Sequence, residues 1–202
     1  MTMIIAAAEN VLPGFNEPTI DAQRVFRRVL EAMAHPGRIL TVPADLVTAP
    51  AGLSPAAAAV GLTLLDNETM VWTDLPEASA SRAWLRFHCG APFTADPGRA
   101  AFGLIATPGA GLALDRFFPG TDAAPETSAT LIVEVDALLP DKGLRLSGPG
   151  IHGLQTLQVR GLPEDFWSAR QRICRPHPLG LDILLVCGDL LAGLPRTTIV
   201  NG

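Results

Sequence analysis

The residues best suited to bind an anionic group are four arginines: Arg27, Arg28, Arg86 and Arg196. A planar guanidinium can donate to two oxygens of a phosphate, a phosphonate or a carboxylate at once. The alternative is that each forms an internal ion pair or donates to a backbone carbonyl. The sequence therefore predicts ligand or partner contacts at these four positions, with an internal role as the competing interpretation.

His177 and Asp182 complete the predicted binding residues. His177 stands between two prolines, and such a rigid loop positions a side chain at little cost in entropy. Asp182 lies within the apolar run 181–187. An unpaired carboxylate would be unfavourable there, so Asp182 should face an arginine, several backbone N–H groups or a wet interface. The alternative is an aspartate at a strand end that a nearby loop satisfies.

Metal and thiol chemistry have weak signals in this sequence. The histidines at positions 35, 88, 152 and 177 lack metal-ligand spacing, and the cysteines at 89, 174 and 187 form no Cys-x-x-Cys pair. Cys89 directly follows His88, but neighbours on a helix point about 100° apart, so adjacency alone does not make a reactive pair. No metal site and no catalytic residue is predicted.

Cofactor chemistry has equally weak signals. Lys142 is the only lysine of the chain and lies in an Asp-Lys-Gly turn expected between two strands. A Schiff-base enzyme needs a desolvated lysine inside a pocket. Gly148 and Gly150 follow a predicted strand, but a dinucleotide-binding loop requires a helix directly afterwards, and residues 155–159 alternate like a strand. We therefore predict no cofactor.

Composition narrows the class of protein. A chain of 202 residues suits one domain, and its net charge of −5 argues against general binding of nucleic acid. The first residues lack a basic region, and their apolar run is too short for a bilayer crossing. Unpaired thiols suit a cytoplasmic protein. We expect residues 1–18 to be poorly ordered and residues 19–202 to form a single α/β domain.

Periodicity predicts alternating helices and strands, which indicates a layered α/β domain. The run 181–187 reads as a central strand that returns through Gly188 and Asp189 into a strand over 190–194. Helices are predicted from Thr19 to about Met33, over 56–65, from Ser79 or Ser81 to Gly90, briefly over 112–118, and over 164–173. Further strands are predicted over 38–42, 70–73, 100–106, 130–135, 144–151 and 155–159.

Several segments, in order from about residue 20 to the C-terminus, resemble one family. They are Phe26-Arg27-Arg28 with 32–37, Leu62–Asp66 with Val71-Trp72, Trp84–His88 with Ala91-Pro92, Gly120-Thr121 with 128–131, Leu146–Ile151, and His177–Gly180 with Asp182 and Leu194–Thr198. The chain is similar here to the PhnH family, the H subunits of the bacterial carbon–phosphorus lyase machinery that degrades phosphonates.

The resemblance implies a subunit and not a self-sufficient enzyme. It implies a three-layer sandwich with a mixed sheet, like the large domain of pyridoxal-phosphate-dependent transferases but without the cofactor. It also implies a homodimer that joins the G, I and J subunits in a core complex. That complex transfers a methylphosphonate-type substrate onto the ribose of ATP, and its catalytic residues are attributed to the other subunits.

Two alternatives stay open at this point. One is a stand-alone enzyme for a small phosphorylated metabolite, with His88, Cys89 or His177 in its site. The other is a ligand-binding module without chemistry.

Overall fold

A six-stranded mixed sheet forms the central layer of the protein. The computed structural model describes residues 11–109 and 112–201. Its strands are β1 (Leu40–Thr41), β2 (Val71–Thr73), β3 (Phe102–Ile105), β4 (Thr130–Glu134), β5 (Ala137–Ser147), β6 (Gln155–Arg160), β7 (Asp182–Cys187), β8 (Leu190–Leu194) and β9 (Ile199–Asn201). The sheet order is β1-β8-β7-β4-β3-β2. Strands β2, β3, β4 and β7 are parallel, whereas β8 pairs antiparallel with β7, and β1 pairs antiparallel with β8.

Three helices cover one face of this sheet. They are α1 (Pro18–Ala34), α2 (Pro55–Leu64) and α3 (Ala80–Cys89). Helix α1 buries Val25, Val29 and Ala32, which follow helical spacing. The alanines of α2 are fully buried, because their short side chains let the helix lie close to its neighbours.

The opposite face carries helix α4 (Phe166–Cys174) and a separate antiparallel sheet of order β6-β5-β9. Alternation along β7 shows the division between the two faces. Leu184 and Val186 belong to the cluster beneath α1 to α3, whereas Ile183 and Leu185 belong to the cluster beneath α4 and the small sheet. The predicted α/β fold with a mixed sheet is confirmed, and the second sheet is an addition to it.

Local capping signals predicted several element ends correctly. The Ser54 hydroxyl accepts the Ala57 N–H at 3.1 Å, and the Ser79 hydroxyl accepts the Arg82 N–H at 3.2 Å. Gly90 ends α3 in the left-handed conformation, with φ of 66°. The hairpin between β7 and β8 turns at Gly188 and Asp189 as predicted.

Helix α1 corrects one prediction, because it begins at Pro18 and Thr19 does not cap it. Glu17 is the N-cap residue and makes no side-chain capping bond. The Asp21 carboxylate accepts the Glu17 N–H at 2.8 Å instead. The carboxylate of Asp21, in the first turn of α1, therefore accepts the free backbone N–H at the N-terminus of the helix.

The remaining corrections concern lengths. Strand β1 covers residues 40–41 where 38–42 was expected, and residues 112–118 hold only a 3₁₀ turn, Leu114–Arg116. Helix α4 begins at Phe166 and not at 164. The predicted turn at Lys142 is wrong: β5 runs through it, and its pairing with β6 is irregular between Pro140 and Leu144. A bulge absorbs the extra residues without ending the strand.

The N-terminal prediction falls partly on residues 1–10, which lie outside the described residues. Residues 11–17 make specific contacts. Trp84 donates its indole N–H to the Leu12 carbonyl at 2.9 Å, and the Asn16 N–H donates to the Leu46 carbonyl at 3.3 Å. Within the described parts of the chain, none of the helices combines the length and apolar character that a bilayer crossing requires.

Candidate functional site

A cleft of about 810 Å³ lies between the second half of α4 and the segment 195–200. We call it the arginine cleft, because four arginines line it. Its lining consists of Pro149, Arg170, Gln171, Arg172, Cys174, Arg175, His177, Arg196, Thr197, Thr198, Ile199 and Val200. None of these described lining residues is acidic, so the cleft concentrates positive charge.

Arg196 lines the cleft and is fixed from behind by Asp182. The Asp182 carboxylate accepts the backbone N–H of Arg196 at 2.8 Å, its Nε–H at 3.3 Å and its Nη2–H at 2.5 Å. Arg196 also donates Nη1–H to the Pro125 carbonyl. Asp182 begins β7, and Arg196 lies two residues after the end of β8, so the antiparallel pairing of these strands sets the two groups side by side. Of the alternatives predicted for Asp182, the structure thus combines an arginine partner with an aspartate at a strand end that a nearby loop satisfies.

Arg170 forms the inner wall of the cleft and is only 2% exposed. It donates to the Thr198 carbonyl at 3.0 Å and to the Pro195 carbonyl at 2.6 Å. Burial lowers the pKa of its guanidinium, while the charges of Cys174 and Asp182 raise it. Arg170 thus holds the segment that carries Arg196 against α4.

Arg172, Arg175 and His177 form the open rim of the cleft, and all three are exposed. Arg172 makes a long contact of 3.5 Å with the Ser168 hydroxyl. Arginines near the C-terminus of a helix also stabilise its dipole, which is the structural explanation for residues 172 and 175. That explanation does not extend to His177 and Arg196, which come from other segments.

The charge of the cleft contrasts with that of the chain. The net charge is −5, yet four arginines and a histidine meet at one concave surface. Concave surfaces lined by one sign of charge focus the electrostatic field and raise the local concentration of the opposite charge. The arrangement is suited to bind an anionic ligand, and its lining also includes the Cys174 thiol and the His177 imidazole.

The other three predicted arginines lie elsewhere. Arg27 and Arg28 are on α1, across the main sheet from α4. Arg28 pairs with Glu31 at 3.0 Å. The Arg86 guanidinium lies over the Phe93 ring, 5.5 Å from its centroid. The structure thus brings together His177, Asp182 and Arg196, and ligand or partner binding at all six predicted residues remains a prediction.

Sequence reasoning missed four contributors to the cleft: Arg170, Arg172, Arg175 and Thr198. The available signal was the repeated arginine spacing at 170, 172 and 175, just before the His177 loop. Nothing in the sequence indicated that residues 195–200 would return to this helix.

A second cavity of about 510 Å³ lies at the carboxyl ends of β3 and β4, beside the start of α2. Parallel α/β sheets commonly bind ligands at this edge. Here the Glu134 carboxylate accepts the Ser54 N–H at 2.6 Å. The side chain of Glu134 therefore takes the place that an anionic ligand would have at the N-terminus of α2. Burial raises the pKa of Glu134 against the lowering effect of the Ser54 hydrogen bonds.

His88 and Cys89 form no reactive pair. The imidazole Nε2 of His88 lies 2.9 Å from the Leu12 carbonyl and therefore donates to it. The Cys89 thiol lies 3.7 Å from the Gly61 carbonyl, and burial raises its pKa to about 12. A thiol with this pKa is protonated near neutral pH and is a poor nucleophile.

The glycine corner at 148–150 has a packing role. Gly150 has φ of 81°, and a Cβ atom there would lie 2.2 Å from the Ala34 carbonyl oxygen. Only glycine lets this corner touch the end of α1. Among the residues that the structure describes, no three His, Cys, Asp or Glu side chains are grouped to hold a metal ion.

Comparison with known proteins adds a family match. The model of a family described as bacterial phosphonate metabolism protein (PhnH) matches residues 13–201. A Rhizobium meliloti (strain 1021) protein named alpha-D-ribose 1-methylphosphonate 5-triphosphate synthase subunit PhnH is 38% identical over 192 residues, covering 91% of this chain and 92% of that protein. A Stutzerimonas stutzeri protein named putative C-P lyase subunit protein HtxG is 33% identical over 184 residues, covering 89% and 85%.

Proposed function

The chain belongs to the PhnH family of bacterial phosphonate metabolism proteins, and from that premise we propose that it is a non-catalytic or co-catalytic subunit of a carbon–phosphorus lyase complex. The match over 91% of the chain and 92% of the R. meliloti protein carries this proposal. A relationship that covers both chains almost completely supports a shared role and not only a shared module.

The state of the reactive groups supports a subunit over a stand-alone enzyme. Cys89 is protonated at neutral pH, and the His88 imidazole binds a backbone carbonyl. Lys142 is exposed on β5 and is not enclosed in a pocket. An enzyme acting alone would need a nucleophile or base held within reach of its substrate.

The proposed partners are a second copy of the chain and the G, I and J subunits, in a cytoplasmic complex. Helix α1 offers a surface consistent with such contacts, because Ile20, Phe26 and Leu30 are 44%, 45% and 53% exposed. Apolar side chains of this size are often exposed where a partner covers them. Arg27 and Arg28 on the same helix add charge for a partner's carboxylates. The main sheet is proposed to correspond to the large domain of pyridoxal-phosphate-dependent transferases.

Genetic complementation tests this function. A bacterium lacking its own family member is supplied with this chain and grown on methylphosphonate as the sole source of phosphorus. Growth restored by the chain, and not by an empty vector, is the expected result. Growth on inorganic phosphate is the control for general health. If a fully expressed chain fails to restore growth together with its own G, I and J subunits, the proposal is contradicted.

A further inference from the structure

The four cleft arginines differ in how they are used by the protein. Arg170 and Arg196 are committed to backbone carbonyls and to Asp182. Arg172 and Arg175 are exposed at the rim, and among the described residues Arg172 has only a long contact with a hydroxyl. Two arginines thus build the cleft, and two remain available to a ligand.

Two buried polar atoms at the inner wall lack hydrogen-bond partners among the residues that the structure describes. They are Nε of Arg170 and the hydroxyl of Thr198, in residues that are 2% and 3% exposed. Buried polar groups in proteins are nearly always hydrogen-bonded, and an unmet one costs about 1–3 kcal/mol. Both residues line the cleft, so these two atoms lie directly behind its surface.

The volume of the cleft suits an anion larger than inorganic phosphate or methylphosphonate. Its volume of about 810 Å³ lies within the roughly 300–1,000 Å³ range of pockets that hold cofactor-sized molecules. Inorganic phosphate or methylphosphonate, with only five heavy atoms each, would fill a small part of it. Because several cationic side chains are spread around the rim, a ligand with several anionic groups can contact more of them than a ligand with a single anionic group.

The walls of the cleft differ in polarity. Arg172, Arg175 and His177 lie on the α4 side. The other side presents the apolar surface of Pro149, Ile199 and Val200 beside Arg196, Thr197 and Thr198. Ile199 is 55% exposed, so apolar surface is presented to solvent beside the charged rim. A ligand that matches both sides has a multiply charged end and an uncharged organic body.

We propose that the arginine cleft binds a small oligophosphate ester, with its phosphates on Arg172 and Arg175 and its organic part against Ile199 and Val200. The cleft geometry indicates the class of ligand, and the proposed function on which this inference rests supplies the reason why such a molecule would be present. The proposal adds a ligand-binding role to a subunit otherwise assigned to assembly.

Isothermal titration calorimetry of the isolated full chain tests the proposal. The probes are ATP, tripolyphosphate, inorganic phosphate, methylphosphonate and adenosine. ATP should bind at least about 10-fold more tightly than phosphate, methylphosphonate or adenosine, with tripolyphosphate in between. The ATP affinity should fall as salt increases. Absence of ATP binding at millimolar concentration, or equal affinity for ATP and phosphate, would overturn the proposal.

Matched variants locate the binding. The double variant Arg172→Ala with Arg175→Ala should weaken ATP binding about 10-fold or more, because it removes two charge-assisted contacts. Arg99→Ala with Arg160→Ala removes the same charge at two exposed positions outside the cleft and should change the affinity less than 2-fold. Equal losses in the two double variants would show that only net charge matters and would contradict the site.

Thr198→Val tests whether binding depends on the buried inner wall. Among the described residues the Thr198 hydroxyl has no partner and is shielded from solvent, so replacing it with a methyl group should leave the melting temperature unchanged or raised and change the ATP affinity less than about 2-fold. A loss of ATP affinity as large as that of Arg172→Ala with Arg175→Ala would contradict the placement of the phosphates on the rim. All these titrations use the chain without its partner subunits, so they test ligand binding independently of the complementation experiment. A chain that fails to bind ATP would contradict the ligand proposal and leave the proposed subunit role unaffected.

Discussion

Asp182, at the start of β7, binds Arg196, which lines the arginine cleft just beyond the end of β8. Three N–H groups of Arg196 converge on one carboxylate, at 2.8, 3.3 and 2.5 Å, and the two side chains are 19% and 15% exposed. Charge-assisted bonds in such a partly buried setting contribute more than a surface ion pair. We expect Asp182→Ala to lower the free energy of unfolding by about 2–3 kcal/mol, measured by urea denaturation.

The control for this pair is Asp182→Asn. The asparagine oxygen can still accept the backbone N–H of Arg196, so the loss should be clearly smaller than with alanine. Equal losses for the two variants would show that the charge, and not the backbone contact, accounts for the stabilisation.

Arg170 should be structurally indispensable, in contrast to its neighbour on the same helix. Arg170→Met removes two bonds to the carbonyls of Pro195 and Thr198 and leaves both acceptors without a partner. We expect a loss of about 2–4 kcal/mol. Arg172→Met, at an exposed position, should change stability by less than about 0.5 kcal/mol. Similar losses for both would mean that Arg170 does not anchor the segment.

Glu134 should make stability depend on pH. Burial raises its folded-state pKa above the ordinary value of 4.5, so the folded chain holds this proton more tightly than the unfolded chain. The free energy of unfolding should therefore fall as pH rises from 4.5 through the raised pKa. Glu134→Gln keeps an acceptor for the Ser54 N–H and removes the ionisation, so thermal melting across this range should show a flatter pH profile.

The matched control is Glu126→Gln, at an exposed glutamate. Its profile should follow that of the unsubstituted chain. A Glu134→Gln profile as steep as that of the unsubstituted chain would assign the pH dependence to other groups.

Thiol labelling tests the state of Cys89. With a pKa of about 12, only about one Cys89 thiol in ten thousand is ionised at pH 8. Cys187 is less buried, although burial also raises its pKa. Iodoacetamide at pH 8 should therefore modify Cys187 before Cys89, as read by mass spectrometry of peptides, and denaturation should remove the difference. Preferential labelling of Cys89 in the folded chain would revive the hypothesis of a stand-alone enzyme.

Sequence reasoning was most successful where one residue determines a local structure. Ser54, Ser79 and Gly90 fixed helix ends through contacts within a few residues, and the apolar run of β7 identified a strand buried on both faces. The need of Asp182 for a partner also followed from burial alone. These features depend on single residues or on residues close together in the chain, so the sequence alone is enough to predict them.

The cleft depended on long-range contacts that a sequence does not display. The return of residues 195–200 to α4 follows from the hairpin of β7 and β8 and from the pairing of β9 with β5. That return makes Arg170 a buried anchor, because the carbonyls of Pro195 and Thr198 come within reach of its guanidinium. The bulge in β5 was missed for a similar reason, because pairing with β6 carries the strand through a turn-like sequence.

Co-purification tests the central claim, a subunit role, most directly. The chain is expressed with tagged G, I and J subunits from the same organism, and the captured complex is weighed by native mass spectrometry and assayed for ribose methylphosphonate triphosphate formation from ATP and methylphosphonate. The account predicts that the chain is recovered with its partners and has no activity alone. An assembled G, I and J complex that excludes this chain, or turnover by the purified chain by itself, would contradict it.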